Sequence, residues 1–436
     1  MKTNIVDKTS LCNVILLGLF AVGLGLSSLL VKSRTAIELS EPIPLPGEGL
    51  SVRVPTAAGW KSLTEWSYER DNSFTLVSRY SIQGPPIAEV RWQYRLAEKK
   101  LPAEDLLREY AGRFSGQAGE MQQMETSLKF YWMHLFPRTS NEDLLLAVAV
   151  PAEGRALLLQ IRCFTEPLYI RDLFEQLAGG VRIQADPRRE VGNQLAAKLR
   201  QGEYGKWLHQ INNLPRPFMI GTTGDKPVGY SKTTAFLKDS GQSLPTGLDY
   251  EEVLPTGREP GKTASRLRAA DDLSEFVWTT DRLMRRRASQ TALHYQPAGF
   301  LEIQDSYGRN DSVWPASSAL PEILLPAMAW TMAQSAHQTE AVIDVIASAG
   351  WIVPAVFSIR NAPQDAVKLN TIQVVVRVDF LHDEKSFEEY YFDSQLNPIG
   401  KYEQTPGQVP QLWKPAAQEE ILFYFGNLFD KPDKSA

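Results

Sequence analysis

The stretch Thr371-Ile-Gln-Val-Val-Val-Arg-Val-Asp-Phe-Leu-His-Asp-Glu-Lys-Ser-Phe-Glu-Glu-Tyr-Tyr-Phe-Asp393 decides how the second half of the chain is read. Successive strand residues point to opposite faces, so Ile372, Val374, Val376, Val378 and Phe380 share one face while Gln373, Val375, Arg377 and Asp379 share the other. The polar run around His382 turns the chain, and residues 386–393 return as the second arm of a hairpin. The apolar face must meet a cover. Residues 327–335, the end of a helical segment over 321–335, are the natural one. Trp278, Phe300, Trp330, Trp351 and Tyr391 lie on neighbouring elements and, with Phe380, form the candidate ligand-binding set. Two arrangements satisfy this pattern. In one, sheet and helix close a dry core in which these residues only pack. In the other, an open half-barrel leaves a groove for an acyl chain or an apolar peptide segment.

Working outward, the signals from Phe218 onward are β: residues 230–237, 250–254, 275–284, 290–295, 300–305 and one long strand over 341–359. A polar, Gly- and Pro-rich excursion separates Pro255 from Ala270. A curved antiparallel sheet with one inserted helix over about 218–405, within a β-rich domain at 215–436, resembles the half-barrel fold of periplasmic lipoprotein carriers. Residues 186–214 read as an inter-domain connector of two helical pieces, Val191, Leu195 and Leu199 before Gly202 and Trp207 and Ile211 after it.

The first half is α+β. Strands at 51–54, 74–81 and 87–96, a helix opening at Pro102, strands at 129–136, 143–150 and 156–164, and a helix at 168–178 predict an antiparallel α/β/α sandwich over 45–185. With Val54-Pro55 and Gly59-Trp60 near its start and a last helix running into Gly180-Val181-Arg182-Ile183, this region resembles the PsbP/Mog1-like fold. The resemblance implies a docking module, often at a membrane, with no shared catalytic set. Trp60 and Val54 are expected to be buried packing residues.

Before these domains, residues 11–31 form 21 consecutive residues without a charge, long enough as a helix to cross a bilayer. They predict a transmembrane anchor, with residues 1–10 as a cytoplasmic tail, 32–44 as a Pro- and Gly-containing tether, and the bulk of the chain outside the cytoplasm. A cleaved signal peptide is the rival, but the apolar run exceeds its usual length.

Composition excludes several classes of function. Forty-six basic against 51 acidic side chains provide no field for nucleic acid, and two cysteines, Cys12 and Cys163, provide neither a disulfide scaffold nor a Cys-based zinc site. Gly257 to Thr263 ends like a phosphate loop, but its glycines are one residue too close and no apolar parallel strand precedes it, so it reads as a surface loop. His382-Asp383-Glu384 reads as a solvated turn rather than a metal site. Arg282, Arg285, Arg286 and Arg287 are the one dense basic cluster, suited to a strand end or to anionic head groups. The five histidines are scattered, and there is no GxSxG or SxxK motif. No catalytic residue, metal or cofactor is assigned. The expectation is a membrane-anchored envelope protein that docks a protein partner and binds membrane lipid through its anchor, with a lipid or apolar peptide as ligand of the second domain. The alternative is an envelope hydrolase with dispersed acid and base groups.

Overall fold

The computed structural model describes residues 37–429, except for 70–71, 82–83, 97–100, 115, 138–141, 153, 165–169, 215–217, 224–225, 238–243, 257–258, 285–286, 336–338, 362–370, 384 and 408. The expected anchor at 11–31 lies outside the described residues. Among these, no helix is long and apolar enough to cross a membrane. The chain is mostly β, with a few short helices set against large antiparallel sheets.

In the first half, a nine-stranded sheet carries a helix on each face. Its strand Asp143–Ala152 explains why. Leu144, Leu146 and Val148 point to one side and Leu145, Ala147 and Ala149 to the other, so both faces need cover. Helix α1 (Ala103–Gly112) buries Leu106, Leu107 and Tyr110 on the first side. It is entered through Pro102, and Glu104 and Asp105 sit at the positive end of its dipole. Helix α2 (Ile170–Gly179) buries Leu173, Phe174 and Leu177 on the second. Val54 is buried as expected, but Trp60 is only half-buried, tilted against Tyr80 at 5.4 Å. The central aromatic is Trp92, fully buried, whose indole N–H donates to the Arg53 carbonyl at 2.9 Å. A position beside Gly59 at the sheet margin cannot enclose an indole, whereas the mid-strand site of Trp92 can.

Residues 186–214 are a structural part of the second half rather than a linker. Helix α3 (Pro187–Lys198) starts where the Asp186 carboxylate accepts the Arg188 N–H at 2.9 Å. Gly202, at φ 128°, breaks the helical run, and helix α4 (Tyr204–Asn212) follows. Leu195, Leu199, Tyr204, Trp207 and Leu208 all enter the main core.

That core lies in the concavity of a fifteen-stranded sheet. Its first strand, Phe218–Thr223, pairs with its last, Gln411–Ala416, and the remaining strands follow in sequence order to two edges, Asn310–Val313 and Leu320–Pro321. The sheet is therefore a meander bent round on itself, with its edges consecutive along the chain. Helix α5 (Leu325–Ala333) stands in the concavity and covers Val376 and Val378, as the alternation in Thr371–Phe380 requires. Helix α6 (Gln418–Phe429) packs on the convex side through Ile421 and Phe425. Gly221 and Gly229 face each other across two strands, and the register shifts by a β-bulge just after Gly221. A Cβ on Gly229 would lie 2.5 Å from the Val253 carbonyl oxygen.

Two segments depart from the sequence-based expectation. The expected single strand over 341–359 is a hairpin, Glu340–Ile346 and Ile352–Arg360, turned at Gly350 with φ 79°. The expected excursion between Pro255 and Ala270 is mostly a strand, Glu259–Ala269, paired on both sides; Gly257 itself lies outside the described residues. Its Ser and Thr side chains suit a strand whose concave face is partly polar.

The halves are joined by a buried ionic network. The Arg155 Nη2 of the first half donates to Asp344 Oδ2 at 2.5 Å, and Arg189 Nη1 of α3 donates to Asp344 Oδ1 at 2.7 Å. Arg189 also donates to Glu48 Oε1 at 2.7 Å and to the Gly47 carbonyl at 2.5 Å, and the Tyr94 hydroxyl donates to Glu48 Oε2 at 2.8 Å. Nearby, Asn72 accepts the Ile352 N–H at 2.9 Å.

Candidate functional site

The concave face has an apolar half and a polar half. Helices α3, α4 and α5 fill the apolar half. The polar half follows from the same alternation that builds the core. Leu248 faces inward, so Tyr250 and Glu252 do too; Val376 and Val378 face inward, so their partners Tyr390 and Glu388 do as well. Lys401 pairs with Tyr390, Glu403 with Glu388, and Trp413 with Lys401, which extends the set across two more strands. Because the sheet curves round on itself, Tyr250 and Glu252 come within electrostatic reach of Lys401, Glu388 and Glu403.

The geometry is that of a charged cluster. Lys401 Nζ lies 3.0 Å from Glu388 and 3.1 Å from Glu403, with the Tyr390 ring centroid at 5.9 Å. The Tyr390 hydroxyl donates to Glu388 and the Tyr250 hydroxyl to Glu252. Glu322, just before α5, accepts the Ser348 N–H at 3.1 Å, and Arg282 donates to the Ser348 hydroxyl. Water reaches the cluster, for the Lys401 and Glu403 side chains remain 25% and 30% exposed.

Burial raises the Glu252 carboxyl above its ordinary range, and Glu403 and Glu388 add to the shift against the Tyr250 hydrogen bond. Burial likewise raises Glu322, with Glu388 the next contributor. Burial would lower Lys401, yet Glu388 and Glu403 hold its ammonium well above its ordinary value. Burial, followed by the adjoining carboxylates, pushes both tyrosine hydroxyls up. The cluster thus combines one firmly held cation with two carboxyls, Glu252 and Glu322, that retain protons unusually well, in a concavity open to solvent.

The six residues expected to line a ligand groove are not brought together. Trp278 and Trp330 are 2% and 8% exposed within the main core, Trp330 lying 5.8 Å from Trp207. Phe380 packs at the margin of that core. Tyr391 is on the convex face: Val375, not Val376, is its partner, and its hydroxyl donates to Glu389 at 2.8 Å. Phe300 lies against Trp314 at 5.4 Å, and Trp351 is half-buried.

The turn at His382 is half-buried, with Lys385 exposed. His382 packs 5.4 Å from Tyr68 of the first half, and burial lowers its pKa; Glu384 lies outside the described residues. Of the basic cluster, Arg282 and Arg287 are both exposed, Arg282 on the concave face, while Arg285 and Arg286 lie outside the described residues. Among the described residues, no group of three or more His, Cys, Asp or Glu side chains is arranged to hold a metal ion. Two surface depressions lie elsewhere. One, of about 290 Å³, is an apolar notch between α1 and the strand carrying Met133 and Leu135. The other, of about 470 Å³, is lined by Arg360, Arg377, Asp379 and Glu389 on the convex face.

The sequence signal for the polar half was present as Tyr250-Glu251-Glu252 and Glu388-Glu389-Tyr390. In each, a tyrosine and a carboxylate two residues apart on a strand share a face.

No protein-family model matches the chain, and no curated protein matches it. Among solved structures, the chain is similar to the β-barrel-like protein of domain of unknown function DUF1849 from Brucella abortus, at 9% identity and TM-score 0.35, covering 46% of this chain and 95% of that one. It is also similar to the cyanobacterial PsbP (CyanoP) from Synechocystis sp. PCC 6803, at 14% identity and TM-score 0.26, covering 33% of this chain and 92% of that one. Both likenesses are slight.

Proposed function

We propose that the protein is a non-catalytic binding component of the cell envelope, anchored through residues 11–31, which takes a polar ligand on the concave face around Lys401. The observation that supports this reading is the convergence of Tyr250 and Glu252 from one strand with Glu388, Tyr390, Lys401 and Glu403 from a distant pair of neighbouring strands onto one solvent-reached surface. The apolar half is occupied by the protein's own helices, which leaves the polar half as the place for a ligand. A thermal-shift panel of amines, carboxylates, phosphate and neutral sugars on the purified full chain tests it. At least one probe is expected to shift melting saturably, and Lys401→Met is expected to weaken that response at least tenfold. Arg266→Met, which breaks an exposed ion pair to Asp249 on the convex face, is expected to leave it unchanged. A flat response to every class would overturn the proposal.

The anchor has its own test. The chain is expected to sediment with membranes and to stay there through a high-salt wash, because an apolar segment is not an electrostatic attachment. Release by salt would rule the anchor out.

A second reading, an envelope hydrolase, is favoured by one observation. Glu252 holds its proton above the ordinary carboxyl range while facing two further carboxyls, the kind of pairing that acid–base hydrolysis uses. This reading predicts glycosidase or esterase turnover that Glu252→Gln abolishes. A binding component shows none.

A further inference from the structure

Resting on the reading above, the geometry points to a ligand of one chemical class: we infer that the polar concavity binds a hydroxyl-bearing organic ammonium, such as an amino alcohol or amino sugar. The first argument is charge. Glu252, Glu322, Glu388 and Glu403 bring four carboxyls to the concavity against two cations, Lys401 and Arg282. Lys401 is shared between Glu388 and Glu403, and Arg282 gives its hydrogen bond to Ser348. Among the described residues, no cation lies within 4.0 Å of Glu252, whose hydrogen bond comes from the neutral Tyr250 hydroxyl. A ligand ammonium beside Glu252 supplies the missing countercharge.

The second argument is the surroundings of that position. The Tyr250 hydroxyl already binds Glu252, and across the cluster the Lys401 ammonium lies 5.9 Å from the Tyr390 ring centroid between two carboxylates, the arrangement in which carboxylates and aromatic faces hold an ammonium together. The third is independent of charge. Trp413, the strand partner of Lys401 on the same concave face, is 3% exposed, and its indole N–H has no acceptor among the described residues. A buried donor without a partner is costly. A ligand oxygen beside the ammonium satisfies it, and this is why the class carries a hydroxyl as well as a charge.

Glucosamine and glucose differ at a single group, the amine in place of a hydroxyl, and so provide the test. Calorimetry on the purified full chain is expected to show saturable binding of glucosamine or ethanolamine, and at least tenfold weaker binding of glucose, acetate and inorganic phosphate. Ethanolamine affinity is expected to rise with pH across the elevated carboxyl range of Glu252, which faces Tyr250, Glu388, Tyr390, Lys401 and Glu403. Glu252→Gln is expected to lose at least tenfold in affinity and to flatten that pH profile. Trp413→Phe keeps the ring and removes the N–H, and is expected to lose severalfold for ethanolamine but nothing for methylamine, which lacks the oxygen. Saturable binding of glucose, acetate or phosphate in preference to both amines would overturn the inference while leaving a polar binding site. Failure of every probe to bind would overturn both. Unchanged melting of each variant shows that a loss is not unfolding, and should Glu252→Gln melt early, Trp413→Phe and the wild-type pH profile decide the matter.

Discussion

Asp344→Ala is expected to lower stability by about 3–5 kcal/mol, the cost of leaving buried cations without their partner. Asp344 is 1% exposed and binds two guanidiniums, Arg155 from the first half and Arg189 from α3. Its removal strands both positive charges in the joint between the halves. Arg155 is itself 6% exposed and has few alternatives, whereas Arg189 keeps Glu48 and the Gly47 carbonyl. The expected readout is a melting curve that moves to lower temperature and separates into two steps, because the joint fails before either half. Replacing the inter-half pair by apolar residues, Arg155→Met with Asp344→Leu, is expected to recover more than half of the loss. A single unshifted transition in Asp344→Ala would show that the network carries no net coupling.

The two carboxyls of this network respond to acid in opposite senses. Burial pushes Asp344 up, but Arg189 and Arg155 together outweigh it and hold the carboxyl below its ordinary value. Its contribution is therefore fully present above the unfolded value near pH ~4 and is lost as pH falls through the lower folded value. For Glu48, burial prevails over Arg189 and the folded carboxyl holds its proton more tightly than the unfolded one. Its term becomes more favourable as pH falls. Glu48→Gln is accordingly expected to cost little at neutral pH, in contrast with Asp344→Ala.

The sequence could be read furthest where one side chain's direction determines the next. Alternation in residues 374–380 located the apolar face and its helical cover, whereas Ile372, ahead of the strand, packs on the other side with Val375 and Tyr391; the strand and helix order of the first half follows from the same periodicities. Reading failed where burial comes from distant partners. The strand Glu259–Ala269 looks like a loop because its neighbours, not its composition, keep it extended. Helix α3 looks like a connector because its partners, α5 and the strand Glu340–Ile346, lie more than a hundred residues onward, and α4 because it packs on the strand Lys226–Leu237 and on α5. The candidate site shows the same limit. Glu388 and Tyr390 lie inside the deciding stretch, but choosing Tyr390 over Tyr391 as concave required the hairpin register, Val376 to Tyr390. That Glu252 approaches Glu403 depends on the sheet closing round through the pairing of Phe218–Thr223 with Gln411–Ala416, which no local pattern announces.

Gly192→Ala should destabilise the protein by about 3 kcal/mol, although alanine is the better helix former by about 1 kcal/mol. Gly192 lies in the middle of α3, where glycine is otherwise a liability. A Cβ there would sit 2.0 Å from the Val342 carbonyl oxygen and 2.9 Å from Ile343 Cγ1. The obstacle at 2.0 Å is backbone in a paired strand, so the helix has to move instead of a side chain. That strand is covered on its other side only at Val345 and Ile346, by the short strand Leu320–Pro321, and α3 lies along the remainder. Moving α3 outward also draws Arg189, one turn earlier, away from Asp344 and Glu48, so the packing loss and the ionic loss come together. Gly205→Ala supplies the contrast. Gly205 is helical in α4, and a Cβ there meets nothing within 4 Å, so the same substitution should stabilise by about 0.5–1 kcal/mol. Denaturant unfolding of the two variants beside wild type measures both. If Gly192→Ala is as stable as Gly205→Ala, α3 is not pressed against the strand, and the rigid joint it makes between the two halves is wrong.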